Sequence, residues 1–124
     1  MTVKSYQTVK VETESGIAWV ILNRPEKRNA MSVQLHYDML DALTELETDS
    51  ESQVVVITGA GNSWCAGQDL RDYFRVTDKN PVERRRAGWA SQEWRWRRLF
   101  TFPKPTIAMV NGYCFGGAFT PLIA

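Results

Sequence analysis

The sequence predicts an α/β protein in which apolar strands alternate with amphipathic helices, β-β-α-β-α-β-α in chain order. Three observations carry that reading. One is a stripe at helical spacing: Leu35, Met39, Ala42, Leu43 and Leu46 share a face, and Gln34, Asp38, Asp41, Glu45 and Thr48 fall opposite. Another is a set of short apolar runs, Ile17 to Asn23, Val54 to Thr58 and Thr106 to Val110, of strand length. The third is punctuation by Ser15-Gly16, Gly59-Ala60-Gly61, Pro103 and Pro105 between those runs.

Each element follows from its residues. Val9-Lys10-Val11-Glu12 alternates like a half-buried strand. Ser15-Gly16 is short enough to make it an antiparallel hairpin with the next run. That run is nearly all apolar, which suits a strand covered on both faces. Arg24 to Asn29 is polar and carries Pro25, so a loop is expected. Ser32 is a good N-cap for the helix that follows. Val54 to Thr58 reads as a buried strand. Pro81 to Phe100 reads as a second helix rich in Arg and Trp, ended by the prolines. Thr106 to Val110 is the last strand, and Gly116-Gly117 opens a final helix. Helical crossovers between strands imply a mainly parallel sheet. Residues 1–124 are read as the N-terminal part of one core domain, because the chain stops inside the apolar run Phe119 to Ala124.

Composition excludes several classes. The chain is 44% hydrophobic and 23% charged, close to soluble globular averages. A net charge of +1 argues against a strongly polyanionic partner. No apolar run approaches the ~20 residues that span a bilayer. Met1 to Ser5 does not open a signal peptide, so the cytoplasm is the expected location. Two cysteines and one histidine, far apart, make no zinc site; two buried thiols are expected instead.

Two glycine-containing turns follow apolar runs: Ser63 to Leu70, and Asn111 to Thr120. Such turns aim free backbone N–H groups at one point, and glycine lets a ligand approach closely. A thioester carbonyl oxygen gains charge as it reacts, and paired amides about 2.7–3.1 Å away stabilise it. The candidate donors are the N–H groups of Gln68 and Gly117.

These blocks carry a resemblance. Leu22-Asn23-Arg24-Pro25 with Lys27-Arg28-Asn29-Ala30, then Ala66-Gly67-Gln68-Asp69-Leu70, then Asn111-Gly112 with Gly116-Gly117, resemble the enoyl-CoA hydratase/isomerase (crotonase) superfamily. Asp69 to Arg75, Gly112 to Leu122 and Ser91 to Trp96 look most like its hydroxycinnamoyl-CoA hydratase-lyases. The resemblance implies the crotonase (ClpP-like) spiral of ββα units, here its N-terminal half. It implies coenzyme A contacts at Lys27, Ala66, Gln68, Leu70 and Gly117, with Gln68 and Gly117 as the oxyanion donors. It assigns Tyr73 to the phenolic oxygen of an aromatic acyl group. Thr120 stands where many hydratases carry a glutamate, which fits the lyases. Gln68 departs from the apolar residue common in close relatives. Coenzyme A enters as part of the substrate, with no tightly bound cofactor. The principal catalytic glutamate is expected beyond Ala124, and the full-length parent is expected to be a homotrimer or dimer of trimers. The implied reaction is hydration and retro-aldol cleavage of feruloyl-CoA to vanillin and acetyl-CoA. Alternatives are another enoyl-CoA hydratase or isomerase, or a non-catalytic piece.

Other readings carry less. Gly59-Ala60-Gly61-Asn62-Ser63-Trp64 lacks the third glycine of a dinucleotide fingerprint. The Arg84–Arg98 stretch, with Trp89, Trp94 and Trp96, is expected to bury its tryptophans and expose its arginines rather than bind nucleic acid. Asp69 and Asp72 read as a helix start and its solvated neighbour. His36 lacks a nucleophile partner and is expected to be partly exposed and structural.

Overall fold

A computed structural model describes all 124 residues. Five strands form one mixed sheet in the order β1-β2-β3-β4-β6: β1 (Thr2–Ser5), β2 (Val9–Glu14), β3 (Ile17–Leu22), β4 (Val54–Gly59) and β6 (Thr106–Ala108). The β1, β2 and β3 pairings are antiparallel, and β3, β4 and β6 run parallel. The sheet is therefore half antiparallel, not mainly parallel. The difference is β1, whose sparse apolar content hid it, and which adds a second hairpin at the edge. Ser15 and Gly16 both have positive φ, 52° and 80°, the geometry that matches a two-residue hairpin to strand twist.

Helix α1 (Val33–Thr48) packs on one face of this sheet. Its Ser32 side chain accepts a hydrogen bond from the Leu35 amide, so the expected cap forms. Leu35, Met39, Ala42, Leu43 and Leu46 are buried against Val9, Val11, Ala18, Val20, Leu22, Val55 and Ile57 in one contiguous core. Strand β3 alternates, with Ala18, Val20 and Leu22 buried and Ile17, Trp19 and Ile21 half-buried, so it is fully covered on one face only. Asp38 also departs from expectation. It is 4% exposed, because its carboxylate accepts from the Thr8 amide and hydroxyl, each at 2.7 Å, and ties the β1–β2 connection to α1.

The second helical region is two pieces. Helix α2 (Pro81–Gln92) runs into a π-helical turn, Glu93–Arg98. The wider turn changes which side chains share a face. Only Trp94 enters the core, at 1% exposed; Trp89 and Trp96 are 56% and 45% exposed. Leu70–Arg75 forms another π-helical turn, capped by the Asp69 carboxylate, which accepts from the amides of Arg71 and Asp72. Asp69 is thus the expected helix start.

A second, two-stranded parallel sheet pairs β5 (Ser63–Cys65) with β7 (Tyr113–Cys114). Neither strand is long enough to show a sequence pattern. Beyond β7 the chain makes a 3₁₀ turn, Gly116–Ala118, and a short helix α3 (Phe119–Ile123). The predicted last strand shortens to Thr106–Ala108, since Met109 to Asn111 turn towards β5.

The loop after β3 is more ordered than its composition suggests. Pro25–Lys27 is a 3₁₀ turn, and Asn29 follows with φ 58° and no exposed surface. Its side chain accepts from the Arg24 amide and donates to the Ala60 and Ser63 carbonyls, at 2.8, 3.0 and 3.0 Å. Asn29 therefore joins its own loop to the β4–β5 connection. Asn29→Ala removes all three bonds, leaves buried partners unsatisfied and puts a Cβ residue with no side-chain bond in a left-handed conformation. A loss of about 2–4 kcal/mol is expected, read as a lower denaturation midpoint at constant m-value.

Candidate active site

The two glycine turns meet at the second sheet. The Phe115 amide donates to the Cys65 carbonyl at 3.1 Å, just where the two strands end. Gly67, with φ 92°, packs so tightly that a Cβ on it would stand 2.9 Å from the Phe115 carbonyl oxygen and 3.8 Å from the Gly117 nitrogen. Any side chain at 67 would close the space between the turns.

The Gln68 amide is directed by strand-like pairing on its other side. The Met31 amide donates to the Gly67 carbonyl at 2.7 Å, and the Asp69 amide donates to the Met31 carbonyl at 3.0 Å. Residues alternate direction along such a ladder, so the intervening Gln68 turns its own N–H away from Met31. It donates to no protein atom, and neither does the Gly117 N–H. Buried or partly buried amides are almost always paired. Two amides without acceptors therefore lie on turns that touch.

A chain of hydrogen bonds lies beside these turns. Trp94 Nε1–H donates to His36 Nδ1 at 2.9 Å. An indole nitrogen only donates, so Nδ1 accepts and the ring proton sits on Nε2, 2.6 Å from Gln68 Oε1. His36 has no exposed surface, contrary to the expected partial exposure. Trp94 and the Tyr73 ring, 5.3 Å away edge-on, cover it from elements remote in sequence. Burial holds the imidazole down, to about 4 from its ordinary 6.5, and the Arg95 charge adds to this against the Gln68 contact. His36 is a neutral hydrogen-bond relay at physiological pH.

Arg95 lies on the other side. Its guanidinium donates to the Gly117 carbonyl at 2.9 Å and to the Ser91 carbonyl at 3.2 Å. A Cβ at Gly117 would stand 2.6 Å from its Nη1, so a residue larger than glycine would push the arginine off. The expectation that the arginines face solvent fails here, because the Gly117 and Ser91 carbonyls draw one inward.

The remaining expected residues lie on neighbouring elements. Ala66 donates its amide to the Arg28 carbonyl at 3.0 Å, which holds the Lys27 turn beside the first glycine turn. Lys27 and Leu70 are exposed. Tyr73 is 9% exposed, and its ring packs edge-on against His36 and Phe74. Thr120 lines an open cleft of about 660 Å³ with Trp89, Gln92, Glu93, Arg95 and Trp96. Asp69 and Asp72 both pair with Arg24, at 3.1 and 2.8 Å. Burial pushes the Cys65 thiol up to about 11, so it stays protonated. Cys114 is only half-buried. His36, Trp94 and Arg95 are the residues that sequence reasoning did not bring to the site. Their spacing held no motif, since each reaches it through another element.

The family model for enoyl-CoA hydratase/isomerase matches residues 12–123. The chain belongs to the enoyl-CoA hydratase/isomerase family. It is 54% identical over 120 residues to a hydroxycinnamoyl-CoA hydratase-lyase of Pseudomonas fluorescens, covering 96% of this chain and 44% of that protein. It is 40% identical to a putative enoyl-CoA hydratase of Thermus thermophilus, over 86% of this chain and 42% of that one. Among solved structures, an enoyl-CoA hydratase/isomerase from Xanthobacter autotrophicus superposes with a TM-score of 0.84 at 31% identity, over 94% of this chain and 43% of that one. The chain thus spans less than half the length of the curated relatives it matches, and its architecture is that of the crotonase fold. No helix is long and apolar enough to cross a membrane.

The buried imidazole gives this family member a testable acid response. Its folded pKa of about 4 lies below its unfolded value of 6.5, so the unfolded chain takes up the proton first as pH falls. Stability from this group is complete above about pH 6.5 and is lost towards pH 4, by about 3 kcal/mol. Denaturant titrations across that window should fall more steeply for the wild type than for His36→Gln, which has nothing to protonate there.

Proposed function

We propose that the whole protein hydrates a 4-hydroxycinnamoyl-CoA thioester, such as feruloyl-CoA, and cleaves the adduct by a retro-aldol step. The products are a hydroxybenzaldehyde, vanillin from feruloyl-CoA, and acetyl-CoA. The observation that carries this reading is the pair of acceptor-free amides at Gln68 and Gly117 on adjoining turns. The named relative at 54% identity supports the substrate class.

The chemistry suits that pair. Water adds its oxygen to the β-carbon and a proton reaches the α-carbon, through an enolate whose charge rests on the thioester oxygen. The β-hydroxyl then loses its proton, the Cα–Cβ bond breaks and its electrons return to the same enolate. Protonation at Cα releases acetyl-CoA. Both steps load one oxygen with charge, so one pair of amides serves both, and removing one such donor from an enzyme typically slows it by about 10²–10³-fold.

In this reading Lys27, Ala66, Gln68, Leu70 and Gly117 hold the coenzyme A portion. Thr120 faces the acyl group from the cleft wall, and the Tyr73 hydroxyl meets the ring oxygen. Asp69 and Asp72 are committed to Arg24, and the family resemblance assigns the proton-transferring carboxylate to a part of the whole protein outside these residues. A cytoplasmic homotrimer, or dimer of trimers, that binds neither nucleic acid nor membrane belongs to the same proposal. The Lys27 side chain has no acidic partner in the structure and is free for a phosphate.

Incubation of the whole protein with feruloyl-CoA should release vanillin and acetyl-CoA in equal amounts. Ready hydration of crotonyl-CoA with no aldehyde from feruloyl-CoA would replace the lyase by a plain enoyl-CoA hydratase. Tyr73→Phe should lower kcat/KM for feruloyl-CoA about tenfold, the loss of one hydrogen bond, and leave cinnamoyl-CoA, which lacks the ring hydroxyl, nearly unaffected.

A further inference from the structure

Both supports of the amide pair come from consecutive residues of one segment. Trp94 and Arg95 lie in the π-helical turn Glu93–Arg98. Trp94 reaches Gln68 through His36, by bonds of 2.9 and 2.6 Å. Arg95 reaches the Gly117 carbonyl directly, at 2.9 Å. The two donor residues sit on loops 49 positions apart in sequence and share no direct hydrogen bond in the structure. A third element, packed against α1 and α3, connects to both.

We propose that the π-helical turn Glu93–Arg98 is the positioning element of the oxyanion hole, with Trp94–His36 setting the Gln68 turn and Arg95 setting the Gly117 turn. The proposal rests on the catalytic reading of those two amides.

The geometry argues for more than structural filling. The relay has one consistent arrangement of protons. Trp94 can only donate, His36 must then accept at Nδ1 and donate at Nε2, and Gln68 must present its oxygen. A chain with a single proton pattern fixes the orientation of its last member. The Gln68 side chain is thereby held back towards α1, and its backbone is held between that anchor and the Met31 bridge. Arg95 does the matching task with a rigid fork, one arm on Ser91 of its own helix and one on Gly117. Its charge also stands next to the turn that receives the negative oxygen. An extra residue per turn is what the π geometry supplies, and such turns recur at functional sites. Here it brings neighbouring side chains to opposite jaws of one site.

Misplacing a donor by about 1 Å can lower a rate by about a hundredfold. The test uses the whole protein with Trp94→Phe, which keeps a ring but no donor, Arg95→Met, and Arg95→Lys. Each of the first two should lower kcat with feruloyl-CoA about tenfold to a hundredfold, with KM changed by no more than about twofold. Arg95→Lys should recover part of the loss, since it restores charge and one donor. The absorbance red shift that a polarised feruloyl thioester shows on binding should shrink in step with kcat. Selective ¹⁵N spectra should show His36 leaving its single Nε2–H tautomer in Trp94→Phe only. Variants that keep parental kcat and red shift, or that change KM alone, overturn the proposal. If the parent neither binds nor turns over feruloyl-CoA, the catalytic reading fails. Hydrogen exchange then decides the positioning claim: faster exchange at residues 66–69 in Trp94→Phe and at 115–118 in Arg95→Met supports it, and unchanged exchange refutes it.

Discussion

The parallel pairing of β5 with β7 is the constraint on which the site depends. It is a very short ladder, yet it brings together two turns that the chain separates by two π-helical turns, a helix and a sheet strand. Ladder geometry then does the chemical work. Met31 takes the Gly67 carbonyl and the Asp69 amide, which leaves the Gln68 N–H turned the other way. Asn111 secures the pairing from below. Its side-chain amide donates to the carbonyls of Gly59 and Ser63 and accepts from the Gly59 amide, which ties the end of β4 to the approach to β7.

So short a ladder would be weak by itself, and polar side chains make up the difference. Asn29, Asn111 and Arg24 are each anchored by several bonds to backbone or carboxylate groups around it. Networks of this kind are stable only when nearly every member is satisfied. The sole fully buried side-chain polar atom without a partner is the Ser91 hydroxyl, so that condition is met almost throughout. The backbone amides of Gln68 and Gly117, on touching turns, are also without acceptors.

Much of this was legible in the residues. The α1 stripe, the Ser32 cap, the strands around Ser15-Gly16 and the two glycine turns all appear where local periodicity and turn chemistry put them. The failures share a cause. Asp38 and His36 flank the apolar stripe of α1, and whether a flanking position meets water depends on what lies above it. For Asp38 it is Thr8, and for His36 it is Trp94 and Tyr73. Trp89 and Trp96 were expected inside with Trp94, because an unbroken α-helix was assumed; the π turn breaks that register.

The sequence by itself determined most of the local elements, the family and the two glycine turns, since each is written in a contiguous stretch with its own pattern. It did not determine which remote side chains meet the two turns. That was decided by tertiary structure, through contacts among Trp94, His36, Gln68, Arg95 and Gly117, which belong to separate elements. A hydrogen bond between remote segments leaves no period in the chain, and a π-helical turn looks like any other helical run until its packing is seen.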